Sequence, residues 1–310
     1  MAATYIRFML ALELIAYVAI GAALHRSRGF GYAELASAAL ATALVVRLAI
    51  VCFATAIAQA ARSPRAPEER IGVAAIGLIL REWHAMLVTN FVLFPFEAMA
   101  MRADAPAAPT ERVPVVFVHG YFSNRGCFHR IVRELDERSV APIFTPNFPS
   151  AFASIERLAG ELHREIERIC AATGSGDVIL VCHSMGGLMA RSYLRDHGAA
   201  RVRKLVTIST PHHGTVLARL GMGPNVVQMR PGSRFLEALF AAEREAPLEC
   251  PTASIYTTHD NLVAPQDSAR LDGARNHAIV GRGHMDILKS RRLAELLVEE
   301  LRESGVRVGA

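Results

Sequence analysis

The chain has 310 residues, 52% of them apolar, with one tryptophan and a formal charge of +5 at pH 7. It is long enough to bury a full-sized core and exceeds the roughly 45–50% apolar content usual for soluble proteins. Its arginines are scattered among acids with no basic stripe interleaved with aromatics, which argues against nucleic-acid binding. Its five cysteines hold no C-x-x-C pair, so neither a zinc site nor a disulfide framework is indicated.

The apolar excess lies before residue 102. Phe8 to Leu24 carries Glu13 as its only charge, and Leu35 to Ala61 carries only Arg47. Each is long enough for about one bilayer crossing, so the pair predicts a transmembrane helical hairpin, with buried soluble helices as the alternative. The second apolar segment argues against a cleaved signal peptide, which has one short apolar core. Glu13 and Arg47 would be costly facing lipid, and their opposite signs predict that they pair across the hairpin. A third apolar stretch, Ile71 to Leu80, is broken by Arg81-Glu82 and resumes from Trp83 to Met101 with Pro95 and Glu97 inside. That pattern suits a helix at the interface, or one packed on the rest of the molecule, better than a clean span. With two spans, Arg7, Arg62, Arg65 and Arg70 fall on one side and Arg26 and Arg28 on the other, which places both ends in the cytoplasm. A third crossing would move the following domain to the other face.

Residues 102–112, rich in Ala and Pro, read as the linker between a helical membrane-anchoring region, 1–101, and a second domain, 113–310. From Val113 the chain alternates. Strands are expected at Val113–Val118, Pro142–Phe148, Asp177–Cys182, Lys204–Thr210, Thr252–His259 and Asn276–Val280. Helices are expected at Cys127–Ser139, Ser154–Ala172, after Ser184 and at Asp286–Glu303. This alternation predicts an α/β fold, a mostly parallel sheet covered by helices on both faces, with ligands at the carboxyl ends of the strands.

The stretch Asp177 to Gly187 carries the chemistry. An apolar strand ends at His183, and a helix begins at or just past Ser184, as in the nucleophile elbow G-x-S-x-G. Cys182 stands where the first glycine is usual and is small enough for the crowded corner. A serine hydroxyl needs a base and a group that orients the base. In the order Ser, acid, His, only Asp260 follows directly on a downstream strand. His284 follows the last strand inside a Gly-Arg-Gly-His turn. The candidate triad is therefore Ser184, Asp260 and His284. The oxyanion donors would be the backbone amides of Tyr121, after His119-Gly120, and of Met185. His119, His183 and His277 are expected to pack rather than react, and Pro211 to Thr215 could line a pocket. No metal or organic cofactor is required.

Taken together and in order, His119-Gly120, Cys182 to Gly187, Ser209 to Thr215, His259 to Pro265 and Gly283-His284-Met285 resemble the bacterial triacylglycerol lipase and esterase group of the α/β-hydrolase fold. The resemblance covers about residues 113–303. It departs at Cys182, where the family has Gly or Ala, and in the N-terminal apolar third. It implies a lipid or acyl-ester substrate and a lid or pocket wall within residues 215–251, for which a crossover helix with a long entry loop is the alternative. The expected protein is a multi-pass enzyme of the bacterial inner membrane that cleaves lipid-like carboxylic esters. A thioesterase or acyltransferase would use the same triad, and an inert membrane scaffold is the alternative of another class.

Overall fold

The computed structural model describes residues 2–65, 72, 74–101, 104, 109–140, 142–148 and 150–306; most of the expected linker lies outside these. Two long helices open the chain, α1 (Ala2–Arg28) and α2 (Tyr32–Ala60). They reverse at Gly29, whose φ of 71° is a conformation glycine adopts without strain. Across the hairpin the Arg47 guanidinium grips both oxygens of Glu13, the predicted pairing, while Tyr17 Oη donates to Glu13 at 2.7 Å. Arg47 also lies 4.8 Å from the centre of the Phe91 ring. Three helical stretches, Ala3–Arg28, Tyr32–Ala60 and Ala74–Leu93, are apolar and long enough to cross a membrane. Phe8, Leu14, Ile15 and Val18 of the first and Leu40, Val45 and Phe53 of the second point outward, an exposed apolar surface that water-soluble monomers rarely carry.

The third stretch is seated differently. Helix α3 (Ala74–Val88) runs into one π-helical turn, Thr89–Leu93, where Phe94 N–H reaches back five residues to Thr89 O at 2.9 Å. Pro95 then supplies no N–H, and a short α4 (Glu97–Ala100) follows. Trp83 Nε1 donates to Leu44 O of α2 (3.1 Å), Arg7 Nε to Pro95 O (2.6 Å) and Asn124 Nδ2 to Phe94 O (2.9 Å). These bonds fasten α3 to the hairpin on one side and to the hydrogen-bonded body of the molecule on the other, in line with a helix packed on that body.

The body alternates β1 (Val115–Val118), α5 (His129–Glu137), β2 (Ile143–Phe144), α6 (Ile155–Thr173), β3 (Val178–His183), α7 (Met185–His197) and β4 (Val202–Ile208). It continues through α8 (Pro224–Gln228), α9 (Arg234–Glu245), β5 (Thr252–Thr257), β6 (Arg275–Ile279) and α10 (Arg291–Glu303). All pairings are parallel, in the order β2-β1-β3-β4-β5-β6. The strands read as continuous apolar runs because both faces are covered. On one face, Leu158, Leu162 and Ile166 of α6 and Leu188 and Met189 of α7 pack the sheet. On the other lie Ile131 and Leu135 of α5 with Leu293 and Leu297 of α10. Helix α6 has its start and stop written in: Ser154 Oγ accepts from Arg157 N–H, and Gly174 closes the end at φ 71°.

The expected strand from Pro142 to Phe148 shrinks to two residues. The Thr145 amide and hydroxyl bond the Asp104 carboxylate at 3.0 and 2.9 Å, and Pro146 has no N–H to give a neighbour. The helix expected from Asp286 is interrupted at Ser290, so a 3₁₀ turn at Asp286–Lys289 precedes α10.

Candidate active site

Ser184 sits between β3 and α7 with φ 56° and ψ −129°, a strained conformation for a non-glycine residue and one that lifts the side chain out of the strand. The corner leaves no room for larger neighbours. A Cβ on Gly186 would collide with the Val118 carbonyl, and one on Gly187 with the Thr210 side chain. Cys182 is fully buried in the core, and burial pushes its thiol well up, so it packs as a small apolar group. A Cβ on Gly120 would stand 2.8 Å from Ser184 Cβ and 3.1 Å from Met185 N. The turn after β1 thus passes directly beside Ser184 at Gly120, with Tyr121 next in the chain. The Met185 amide is the first of α7, and a first-turn amide has no partner within its helix.

Asp260 follows β5 and His284 follows β6, and both side chains are buried. His284 Nδ1 donates to Asp260 Oδ2 at 2.9 Å and Oδ1 at 3.0 Å, which leaves Nε2 as the acceptor. Asp260 Oδ1 also accepts from the amides of Leu262 and Val263, both at 2.8 Å. Burial raises the acid's proton affinity, but the His284 charge and hydrogen bond and the two amides outweigh it, holding the carboxyl below its ordinary value. Burial likewise disfavours the imidazolium, yet the Asp260 charge and hydrogen bond outweigh that, and the ring is raised above 6.5. The histidine backbone is held at both ends: His284 N–H donates to Asn261 Oδ1 (2.9 Å), and His183 Nε2 donates to His284 O (3.2 Å). Ser184 and His284 line one cavity of about 370 Å³. No hydrogen bond joins them among the described residues; in unliganded enzymes this contact is often loose and tightens on substrate.

This arrangement coincides with what the chain is similar to. Residues 113–244 match the family described as alpha/beta hydrolase fold. Triacylglycerol lipases of Burkholderia plantarii and Vibrio cholerae serotype O1 are each 32% identical, over 127 and 117 residues, or 38% and 36% of this chain and 34% and 36% of theirs. The chain thus matches only about a third of the length of these curated relatives. The crystal structure of Aspergillus fumigatus lipase B superposes with a TM-score of 0.59 at 22% identity, covering 66% of this chain and 56% of that one. The mature lipase BlEst2 of Bacillus licheniformis gives 0.53 at 18% identity, covering 66% and 96%. The body has the α/β-hydrolase fold, and its matched part is similar to triacylglycerol lipases.

The other histidines singled out in the sequence have structural settings. His119 Nε2 accepts from Phe148 N–H at 3.2 Å; burial lowers His119 to about 4, and burial and the neighbouring His284 lower His183 to about 3. Both stay neutral near pH 7. His277 pairs with Glu300 at 2.7 Å. Of Pro211 to Thr215, only Pro211 and Thr215 reach the cavity. His212 is buried behind it against Thr207 and Arg191, and Arg191 in turn holds Glu243 of α9. The segment 215–251 divides: Leu217, Ala218, Val226 and Met229 line the cavity, while α9 packs on α7.

The residue that the sequence reading missed is Glu82. It projects from α3, is buried, and accepts from Met285 N–H (3.0 Å) and Asp286 N–H (2.8 Å), directly after His284. A Cβ on Gly283 would run into its carboxylate. Burial pushes its carboxyl up to about 7. Beside it, Arg81 donates to Gly281 O at 2.7 Å, and Arg65 Nε, beyond α2, donates to Thr258 O at 2.7 Å. Ser63 bonds Gln266 and Asp267, and Gln266 holds Asp260 O.

Proposed function

We propose that this α/β-hydrolase is a membrane-anchored serine hydrolase that cleaves carboxylic esters of lipid-like substrates through an acyl-enzyme. The observation that carries the reading is the buried His284–Asp260 pair, oriented by its own loop, whose His284 lines the same apolar cavity as the strained Ser184. Ser184 Oγ attacks the acyl carbon while His284 Nε2 takes its proton, and Asp260 holds the ring and stabilises its charge. The oxyanion accepts from the amides of Tyr121 and Met185, each worth about 3 kcal/mol by analogy with measured oxyanion donors. Collapse expels the alcohol, protonated by His284. Water, deprotonated by the same nitrogen, then releases the acid and restores Ser184. Residues 1–101 act as the anchor, with α1 and α2 as its spans, and the name triacylglycerol lipase borne by the curated relatives supports an acyl-ester substrate.

The test is labelling by a fluorophosphonate together with turnover of acyl esters, acyl thioesters and an added alcohol acceptor. Wild type is expected to label and to hydrolyse esters best, and Ser184→Ala to do neither. A thioester or alcohol preference would redirect the reaction class, and absence of label on folded wild type would leave a scaffold.

A further inference from the structure

The cavity at Ser184 is walled on one side by the N-terminal helices. Ile50, Val51 and Ala54 of α2 line it, as do Met86 and the π turn of α3 with Thr89 and Asn90. The spacings i, i+1, i+4 and i, i+3, i+4 put each set on one helix face. Leu217, Ala218, Val226 and Met229 complete the apolar lining of this cavity. Its volume falls within the roughly 300–1,000 Å³ of small-ligand sites. Two lining residues are also exposed, Ile50 at 47% and Leu262 at 38%, and they mark the mouth. Ile50 belongs to the outward-facing apolar surface of α2, which continues to Phe53. We infer that α2 and α3 form the acyl-chain site, so that the substrate is a bilayer-resident ester whose chain enters beside Ile50 and lies along Val51, Ala54 and Met86. This rests on the hydrolase reading above.

The experiment uses the full chain in detergent micelles with p-nitrophenyl acetate, octanoate and palmitate, active sites being counted by fluorophosphonate labelling of Ser184. Ala54→Phe shortens the slot and is expected to lower the octanoate-to-acetate ratio of kcat/KM by about tenfold or more; Met86→Ala lengthens it and raises the palmitate-to-octanoate ratio. Unchanged ratios in both labelled variants overturn the acyl-site inference while leaving the hydrolase reading intact. A wild type that neither labels nor turns over ester overturns both.

A separate observation concerns Glu82, which the triad does not use. Its carboxylate closes the back of the histidine loop, on the amides of the two residues after His284, against a glycine where no side chain fits. The geometry points to Glu82 as a positioning residue that lets α3 set the orientation and charge of His284. The groups around it are His284 and Asp260 of the triad, Asp286, Arg282 and Lys289 of the loop, and Arg81 beside it on α3; on α2, Arg47 is engaged by Glu13. Glu82→Gln keeps the shape but loses one acceptor and, above about pH 7 where the carboxyl is ionised, the charge that favours the imidazolium. The expected result is a kcat lower by about tenfold to a hundredfold on every ester, with the acid limb of the kcat/KM profile displaced to lower pH. A part that was only structural would lower the melting temperature without moving that limb. A limb that stays in place in fluorophosphonate-titrated variant overturns the assignment.

Discussion

At the scale of single residues, the Asp260–His284 pair makes a claim that a pH profile can check. The ring is raised above 6.5 because the Asp260 carboxylate offsets the cost of burying an imidazolium. The base form is therefore lost as pH falls through a value above the ordinary one, and wild-type kcat/KM should show its acid limb there. Asp260→Asn removes that charge while burial remains, so the limb should move below 6.5, and the tautomer with Nε2 free is no longer enforced. A loss of about 10³- to 10⁴-fold in kcat at pH 8 is expected, by analogy with the aspartate of serine-protease triads. An unmoved limb would mean that another group sets the ring's proton affinity. The placement of Ser184, Asp260 and His284 at strand ends was legible in the sequence because each follows an apolar strand at a glycine or polar turn, and the parallel sheet brings such turns to one edge. Glu82 was not legible. It interrupts an apolar stretch as an interfacial charge would, and its partners, Met285 and Asp286, lie some two hundred positions away.

At the scale of elements, periodicity located nearly every strand and helix of the body, because a strand covered on both faces and an amphipathic helix leave different patterns. What it could not locate were the ends decided by distant partners. Asp104 takes the Thr145 amide and cuts β2 short. The segment from 215 to 251 carried more apolar residues than a connector needs, and two destinations account for them. Its first half lines the cavity, and α9 is clamped by the fully buried Arg191, which pairs with Glu243 and stacks 4.8 Å from the Phe240 ring. Glu13 and Arg47 show the opposite case. Two opposite charges, each alone in an apolar segment, have few places to go but to each other, and that solitude made the pairing readable before any coordinates.

At the scale of the whole molecule, the proposed membrane anchor predicts which face of a bilayer the candidate site occupies. Helices α1 and α2 present apolar side chains outward, whereas α3 binds the His284 loop through Arg81 and Glu82 midway along its length, where a crossing helix would meet hydrocarbon. Ser63 and Arg65, directly after α2, bond the loops around Asp260, so the chain leaves α2 already docked on the body. In the proposed two-span anchor the chain returns to its starting side, and Arg7, Arg62 and Arg65 there, against Arg26 and Arg28 on the other, predict that this side is the cytoplasm. A membrane-impermeant fluorophosphonate should therefore label Ser184 in bacterial cells only after the inner membrane is opened. In a Cys52→Ser background, Ser27→Cys in the last turn of α1 should react with an impermeant maleimide in intact spheroplasts. Label on Ser184 in intact spheroplasts would require an odd number of crossings, with α3 inserted and its bonds to the His284 loop broken.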